Sequence, residues 1–332
     1  MTVQNQAKIL IAGGGSIGSV IGVMLQKQGY NPWILRRSPP FGTVSLKVQG
    51  QLNETIEVQI VSTDHLIETK YEPQIVIITV QEQHTEEIII QLSSIITSNT
   101  ILISLQNGLR SGEILLKHFP NNPVFQGTIW WSAALINNEE VYYHRTAETR
   151  IGIPPRSIAT RSMIEPVIQM FHQTLDINFI EDLSLELMRK LCLNVVSPVL
   201  ALIKQPYPQG MRDNVIIWLI HILFDEAILY SGYPTSEIMD IRLTKFHDNL
   251  VTMKKYPTEH NLHKVSTQLG IEKYGGSRSN VDELLDYFVQ KGAIYAKIVR
   301  DIVVELPTTY EALTLENLTL FIQNEIPYNC KL

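Results

Sequence analysis

Glu186, Lys190 and Asn194 are spaced by four residues, which puts them on one helix face beside an apolar face of Leu183, Leu187, Leu191 and Val195. A lysine and an amide sharing a cleft wall suit the reduction of a carbonyl. Hydride addition leaves an alkoxide, and a positioned ammonium can polarise the oxygen and then protonate it. Lys190 suits that role. The plainer alternative is a Glu186–Lys190 surface pair, worth about 0.3–0.5 kcal/mol on a helix.

A hydride needs a donor, and the opening of the chain offers a place for one. The apolar run Ile9-Leu10-Ile11-Ala12 predicts a strand, Gly13-Gly14-Gly15-Ser16-Ile17-Gly18 follows, and an apolar helix then runs to Gly29. Gly13 permits a tight turn, Gly15 lets the backbone approach a pyrophosphate, and Gly18 lets helix and strand pack closely. The helix start at Ser16 and Ile17 turns free N–H groups toward the anion.

The strand Pro32–Leu35 ends in Arg36-Arg37-Ser38, where an NAD-binding chain carries a carboxylate for the ribose 2′-hydroxyl. Two guanidiniums favour a 2′-phosphate instead, so the expected cofactor is NADPH/NADP. A solvated basic loop is the alternative.

In an open α/β sheet, ligands sit beyond the carboxyl ends of the strands, which singles out Gln81, Asn107 with Gly108, and Ala133 near the end of the segment Val124–Trp131. Asn107 could orient the nicotinamide ribose or the substrate; an ordinary Asn-Gly turn explains it as well. His260 and His263 have a helical metal spacing without accompanying carboxylates or cysteines, so no metal is expected.

The elements that must position these groups divide in two. Continuous apolar runs at Ile75–Val80 and Ile101–Leu105 predict central parallel strands, with a helix over Glu86–Ile96 between them. Alternating segments around Val44–Val48 and Ile56–Ile60 predict an antiparallel or edge pair turning at Gly50. Strands at Glu140–His144, Arg150–Ile153 and Ile177–Ile180 and a helix at Arg161–Thr174 complete a Rossmann-type domain, residues 1–182. From Leu183 helical spacing takes over, predicting an all-helical domain at residues 183–332 with loops at Gln205–Gly210 and Gly275-Gly276-Ser277.

The composition fits such an α/β chain. It has 332 residues, 45% of them hydrophobic, enough for a large core. A net charge of -6 with scattered Lys and Arg argues against nucleic-acid or polybasic membrane surfaces. Two distant cysteines suit a reducing cytoplasm. The apolar run Val215–Phe224 is too short to span a bilayer. A small-molecule substrate is the expected partner, and a homodimer is compatible with a helical second domain.

The order of Gly13-x-Gly15-x-x-Gly18, Arg37, Ser104-Leu105-Gln106-Asn107-Gly108-Leu109, Gly127-Thr128 and Glu186-x-x-Arg189-Lys190-Leu191-x-x-Asn194 resembles the ketopantoate reductase (2-dehydropantoate 2-reductase) family. The resemblance covers Lys8–Gly210. It implies a Rossmann domain holding NADPH and a helical domain, like that of 6-phosphogluconate dehydrogenase, closing over a small 2-oxo acid. It implies Lys190 as proton donor, Asn194 as substrate-orienting amide, Arg37 as 2′-phosphate ligand and Asn107 touching cofactor and substrate.

Ser277, with Glu283 and Asp286, stands loosely where the family's C-terminal substrate clamp lies. The chain departs from the pattern at Gln81, where the family carries lysine, and at Ser197-Pro198, where it carries a second asparagine. Those departures suit another oxo acid or an imine as substrate, or a catalytically quiet NADPH-binding sensor.

Overall fold

A computed structural model of the chain describes residues 7–145, 147–171, 175–204, 214–245, 280–309, 311–314 and 316–318. The chain forms two compact units, Met1–Leu187 and Met188–Leu332.

The first unit is built on a sheet of eleven strands. In chain order its elements are β1 (Ile9–Ala12), α1 (Ser16–Lys27), β2 (Trp33–Leu35), β3 (Gly42–Gly50), β4 (Glu54–Val61), α2 (Thr63–Glu68) and β5 (Ile75–Ile78). A 3-10 turn at Glu82–His84 leads into α3 (Thr85–Leu92), β6 (Ile101–Ser104), α4 (Ser111–His118), β7 (Val124–Ile129), β8 (Ser132–Asn137), β9 (Glu140–Arg145), β10 (Thr149–Gly152), α5 (Arg161–Phe171) and β11 (Ile177–Phe179). Spatially the strands run β11-β10-β7-β6-β5-β1-β2-β4-β3-β9-β8.

Strands β7, β6, β5, β1, β2 and β4 are mutually parallel. From β1 the chain steps to β2 on one side and later to β5 on the other, so the order reverses between β1 and β5, the usual place for a ligand crevice. Their last residues share one line of register: Leu35 beside Ala12, Ala12 beside Ile78, Ile78 beside Ser104. The segments after β1, β2, β5 and β6, which carry the candidate residues, therefore emerge along one edge.

Both faces of this parallel core are covered, which is why its strands read as unbroken apolar runs. Alternate residues of each strand point to opposite faces. Ile9, Ile11, Ile75, Ile77 and Ile103 join a core with Val20, Met24 and Leu25 of α1 and Ile164, Val167 and Phe171 of α5. Leu10, Ala12, Val76, Ile78 and Leu102 join a second core with Ile88, Ile89 and Leu92 of α3 and Leu115 of α4. Completely burying an aliphatic side chain contributes about 1.5–3 kcal/mol, so these two layers hold the crevice edge rigid.

Several expected boundaries are corrected. The helix after β5 stops at Leu92 rather than Ile96, where Ser93 donates its hydroxyl to the Ile90 carbonyl at 2.8 Å and the chain breaks into turns. The strand expected over Val124–Trp131 ends at Ile129, and a separate strand, β8, begins at Ser132. The β3–β4 pair is antiparallel but not an edge, since β9 pairs parallel to β3 and β8 lies beyond it.

Helix α6 (Leu183–Asn194) carries the chain out of the first unit. The described elements of the second unit are α7 (Val196–Leu202), α8 (Asn214–Tyr230), α9 (Thr235–Ile238), α10 (Val281–Gln290) and α11 (Ile294–Val304). Ile216, Leu219, Ile220, Leu223, Phe224 and Ala227 form the buried stripe of α8, and Leu284, Leu285, Phe288, Ile298, Val299 and Val303 are the buried positions of α10 and α11. Among the described residues, no helix is long and apolar enough to cross a membrane.

Candidate active site

The glycine loop after β1 is the best-defined part of the site. Gly13 has φ +122°, and a Cβ there would lie 2.9 Å from the Thr79 hydroxyl and the Val80 nitrogen. At Gly18 a Cβ would lie 1.9 Å from the Gly13 carbonyl oxygen, so only glycine lets α1 meet the loop. The Thr79 hydroxyl donates to the Gly13 carbonyl at 2.7 Å, tying the loop to β5.

Gly15 differs from both. It is exposed, and a Cβ there would meet no atom within 4 Å. It caps α1 without a side-chain hydrogen bond, and the first turn, Ser16 and Ile17 included, holds no acidic residue. That open, uncapped helix start fits a phosphate group, which would find room beside Gly15 and N–H groups to donate to it.

The two arginines after β2 part company. Arg36 turns inward: its Nε–H donates to the Gly14 carbonyl at 3.0 Å, one Nη to the Ser19 hydroxyl at 3.1 Å and the other to the Asn138 carbonyl. Its side chain lies against Gly14, where a Cβ would sit 2.4 Å from Arg36 Cγ. Burial pushes its pKa down, opposed by Glu139. The expectation of Arg36 as a second phosphate ligand is therefore corrected: it staples the glycine loop to β2 and the β8–β9 turn. Arg37 stays exposed and pairs with Glu87 of α3 at 2.7 Å.

After β5, Gln81 is partly exposed, and its side-chain oxygen accepts from Gln83 at 3.1 Å. The next residue, Glu82, is almost completely buried. Its carboxylate accepts the backbone N–H of Arg110 at 2.8 Å and of Ser111 at 3.1 Å, closing the start of α4. Burial raises its pKa, offset in part by Arg110 and these N–H donors.

Gly108, at φ +98°, packs on the same carboxylate, and a Cβ there would come within 2.5 Å of it. Gln106 is buried and donates to the Val80 carbonyl and the Thr85 hydroxyl, both at 2.8 Å. The loop is thus clamped on both sides of Asn107, whose own side chain is exposed.

At the end of β7 lies a second polar cluster. Glu186, at the start of α6, is buried and accepts from Trp130 Nε1 at 2.7 Å and from Arg150 at 3.0 Å, and Arg150 also pairs with Glu148 at 2.9 Å. Glu186 is therefore not the surface carboxylate that the plainer alternative supposed, since it is buried and two of its hydrogen bonds lie inside the first unit. Trp131 is buried too, donating to the Thr149 hydroxyl at 2.9 Å and meeting Tyr143 edge-on.

Lys190 and Asn194 follow one and two turns further along α6, both partly exposed. Ala133 belongs to β8 at the outer rim of the sheet and pairs with Tyr143, not at the end of β7, because β7 ends at Ile129 and a separate strand begins at Ser132. Asp286 of α10 forms an ion pair with Arg300 at 2.7 Å, and Glu283 of the same helix is partly exposed. Ser277, His260 and His263 lie outside the described residues. Cys192 is buried, which pushes its thiol up to about 12 and leaves it a poor nucleophile.

Glu82, Glu87 and Arg150 escaped sequence reasoning. Each works through a partner distant in the chain, and only the adjacency of Glu82 to the strand exit at Gln81 could have drawn notice.

Comparison with known proteins accords with this geometry. Residues 9–156 match the family model described as ketopantoate reductase PanE/ApbA. The 2-dehydropantoate 2-reductase of Aquifex aeolicus is 28% identical over 152 residues, 46% of this chain and 48% of that protein. This chain thus matches about half the length of that relative. The enzyme of the same name from Archaeoglobus fulgidus is 23% identical over 242 residues, 71% of this chain and 78% of its own.

Two solved structures share the fold. A D-mandelate dehydrogenase with NADH and anilino(oxo)acetate superimposes with a TM-score of 0.74 at 16% identity, covering 89% of this chain and 96% of that one. A PanE/ApbA family ketopantoate reductase from Ralstonia eutropha gives 0.72 at 15% identity, covering 96% and 99%. The glycine loop that opens the parallel sheet and the clamped Gln106-Asn107-Gly108 loop both lie within residues 9–156, the segment that is similar to the ketopantoate reductase family.

Proposed function

We propose that this chain is an NADPH-dependent reductase of a small 2-oxo acid, with ketopantoate as the default substrate. The observation that carries the reading is the uncapped start of α1 beside exposed Gly15, where a Cβ would meet nothing within 4 Å. Residues 1–182 hold the dinucleotide in this reading and residues 183–332 carry the substrate groups.

When bound, a nicotinamide dinucleotide supplies the hydride. The backbone of Gly13, Gly14, Gly15, Ser16, Ile17 and Gly18 binds its diphosphate through N–H groups and the partial positive charge of the helix start. Arg37 meets the 2′-phosphate, Gln81 donates from its neutral amide, and Asn107 orients the ribose. The Lys190 ammonium polarises the substrate carbonyl and delivers a proton from Nζ to its oxygen as charge develops, while Asn194 fixes the carbonyl's orientation. Gln81, in place of a lysine, removes one positive charge and points to an oxo acid other than ketopantoate or an imine as the nearest alternative.

Turnover tests the reading. Purified protein should oxidise NADPH with ketopantoate or another 2-oxo acid, and Lys190→Ala should lower turnover by about 10²–10⁴-fold with NADPH affinity little changed. NADPH binding with no oxidation across a panel of oxo acids and imines would leave a quiet dinucleotide-binding protein in its place.

A further inference from the structure

Of the two arginines after β2, only Arg37 presents an exposed guanidinium, and that guanidinium is held by Glu87. Its Nη2 lies 2.7 Å from Glu87 Oε2, with both side chains about half exposed. Glu87 sits in the first turn of α3, where His84 Nδ1 approaches the same oxygen at 3.6 Å and Gln91 donates to the other at 3.4 Å. The neighbouring Glu86 is engaged elsewhere, with Lys117 and His118. Arg36 is committed to Gly14, Ser19 and Asn138.

A dinucleotide whose diphosphate rests on α1 lays its adenosine ribose over the carboxyl end of β2, where the Arg37–Glu87 pair bridges to α3. The two ribose forms meet that pair differently. A 2′-hydroxyl can donate to a carboxylate and leave the ion pair closed. A 2′-phosphate brings nearly two negative charges, so it can use Arg37 only by displacing Glu87 and must then tolerate the displaced carboxylate nearby.

We propose that Glu87 is the specificity-determining residue for the dinucleotide: by holding Arg37 closed it narrows the preference for NADPH over NADH, so that both are accepted. This rests on the reading of the glycine loop as a dinucleotide site. Arg37 reads the phosphate, and Glu87 tempers it.

Titration calorimetry of the whole chain with NADPH and with NADH tests this, using the parent protein, Glu87→Gln, Arg37→Ala and the double variant. Glu87→Gln should tighten NADPH by about tenfold, an effect that fades at high salt, while NADH is unchanged or slightly weakened. In the Arg37→Ala background the same change should produce a smaller gain, because the ion pair is already gone. A parent protein that binds both nucleotides and keeps its NADPH:NADH ratio in Glu87→Gln overturns the selector alone. A parent that binds neither overturns the dinucleotide site and the selector with it.

Discussion

Helices α1 and α4 both start at the carboxyl edge of the same sheet, yet their N-termini are treated in opposite ways. The start of α4 is closed by the buried Glu82 carboxylate, which accepts from Arg110 N at 2.8 Å and Ser111 N at 3.1 Å. The start of α1 has exposed Gly15, no side-chain cap and no acidic residue in its first turn. In the second unit, α11 follows the α4 pattern, with Glu226 accepting from Tyr295 N at 3.1 Å and Ala296 N at 2.8 Å. At the starts of α4 and α11 the chain brings its own anion. At α1 it leaves room for a foreign one.

The comparison breaks most sharply at Gly15. Its φ of −75° suits any residue, and the space around its absent Cβ is empty. Gly15→Asp should therefore fold normally and cap α1 with its own carboxylate, raising stability by about 0.5 kcal/mol. It should also weaken NADPH by about a hundredfold through charge repulsion. Calorimetry for binding and a thermal midpoint for stability read the two effects separately, and retained affinity would mean that no anion rests there.

At the closed end the expected effect is on stability. Glu82→Ala leaves the N–H groups of Arg110 and Ser111 without their acceptor, at a cost of about 1–3 kcal/mol, measurable as a shift in urea midpoint. It also removes the wall behind Gly108, so amide exchange should quicken across Gln106–Arg110. An unchanged exchange pattern would show that the Asn107 loop is held by Gln106 alone.

The smallest effect concerns pH. Burial raises the carboxyl pKa of Glu82 and of Glu226 above the ordinary glutamate value. The folded state then holds those protons more tightly than the unfolded state, so each group's contribution is fully present at pH below the unfolded value. It is lost as pH rises from there through the raised folded value. Glu82→Gln and Glu226→Gln should each flatten the stability–pH curve in that window, and a curve unchanged in either variant would mean that its carboxyl titrates normally.

Sequence and fold agree where a signal is local. The unbroken apolar runs of β5 and β6 could only be strands covered on both faces, and their side chains divide between the two cores. The positions of Gly13 and Gly18 were legible because backbone sterics within one turn demand glycine there. Tyr142 and Tyr143 alternate on β9, so one ring is buried and the other partly exposed.

Adjacent residues with the same chemistry could not be told apart. Arg36 and Arg37 read alike as a basic pair, but Arg36 is drawn inward by the Gly14 and Asn138 carbonyls, the second of which lies on the far β8–β9 turn. Glu186 read as a surface carboxylate, yet Trp130 and Arg150 hold it in a buried cluster. The boundary near Trp130 was unreadable for the same reason, since the two indoles find their acceptors on α6 and β10, far along the chain.

From residue order alone came the nucleotide-loop grammar, the parallel sheet and the change to helices after Leu183, because steric demands and burial periodicity act within a few residues. Which carboxylate closes which helix, which arginine faces outward and which end of α1 stays open depended on groups far apart in the chain. Those choices were settled by packing, since a charged side chain's role follows from the partner that folding places beside it.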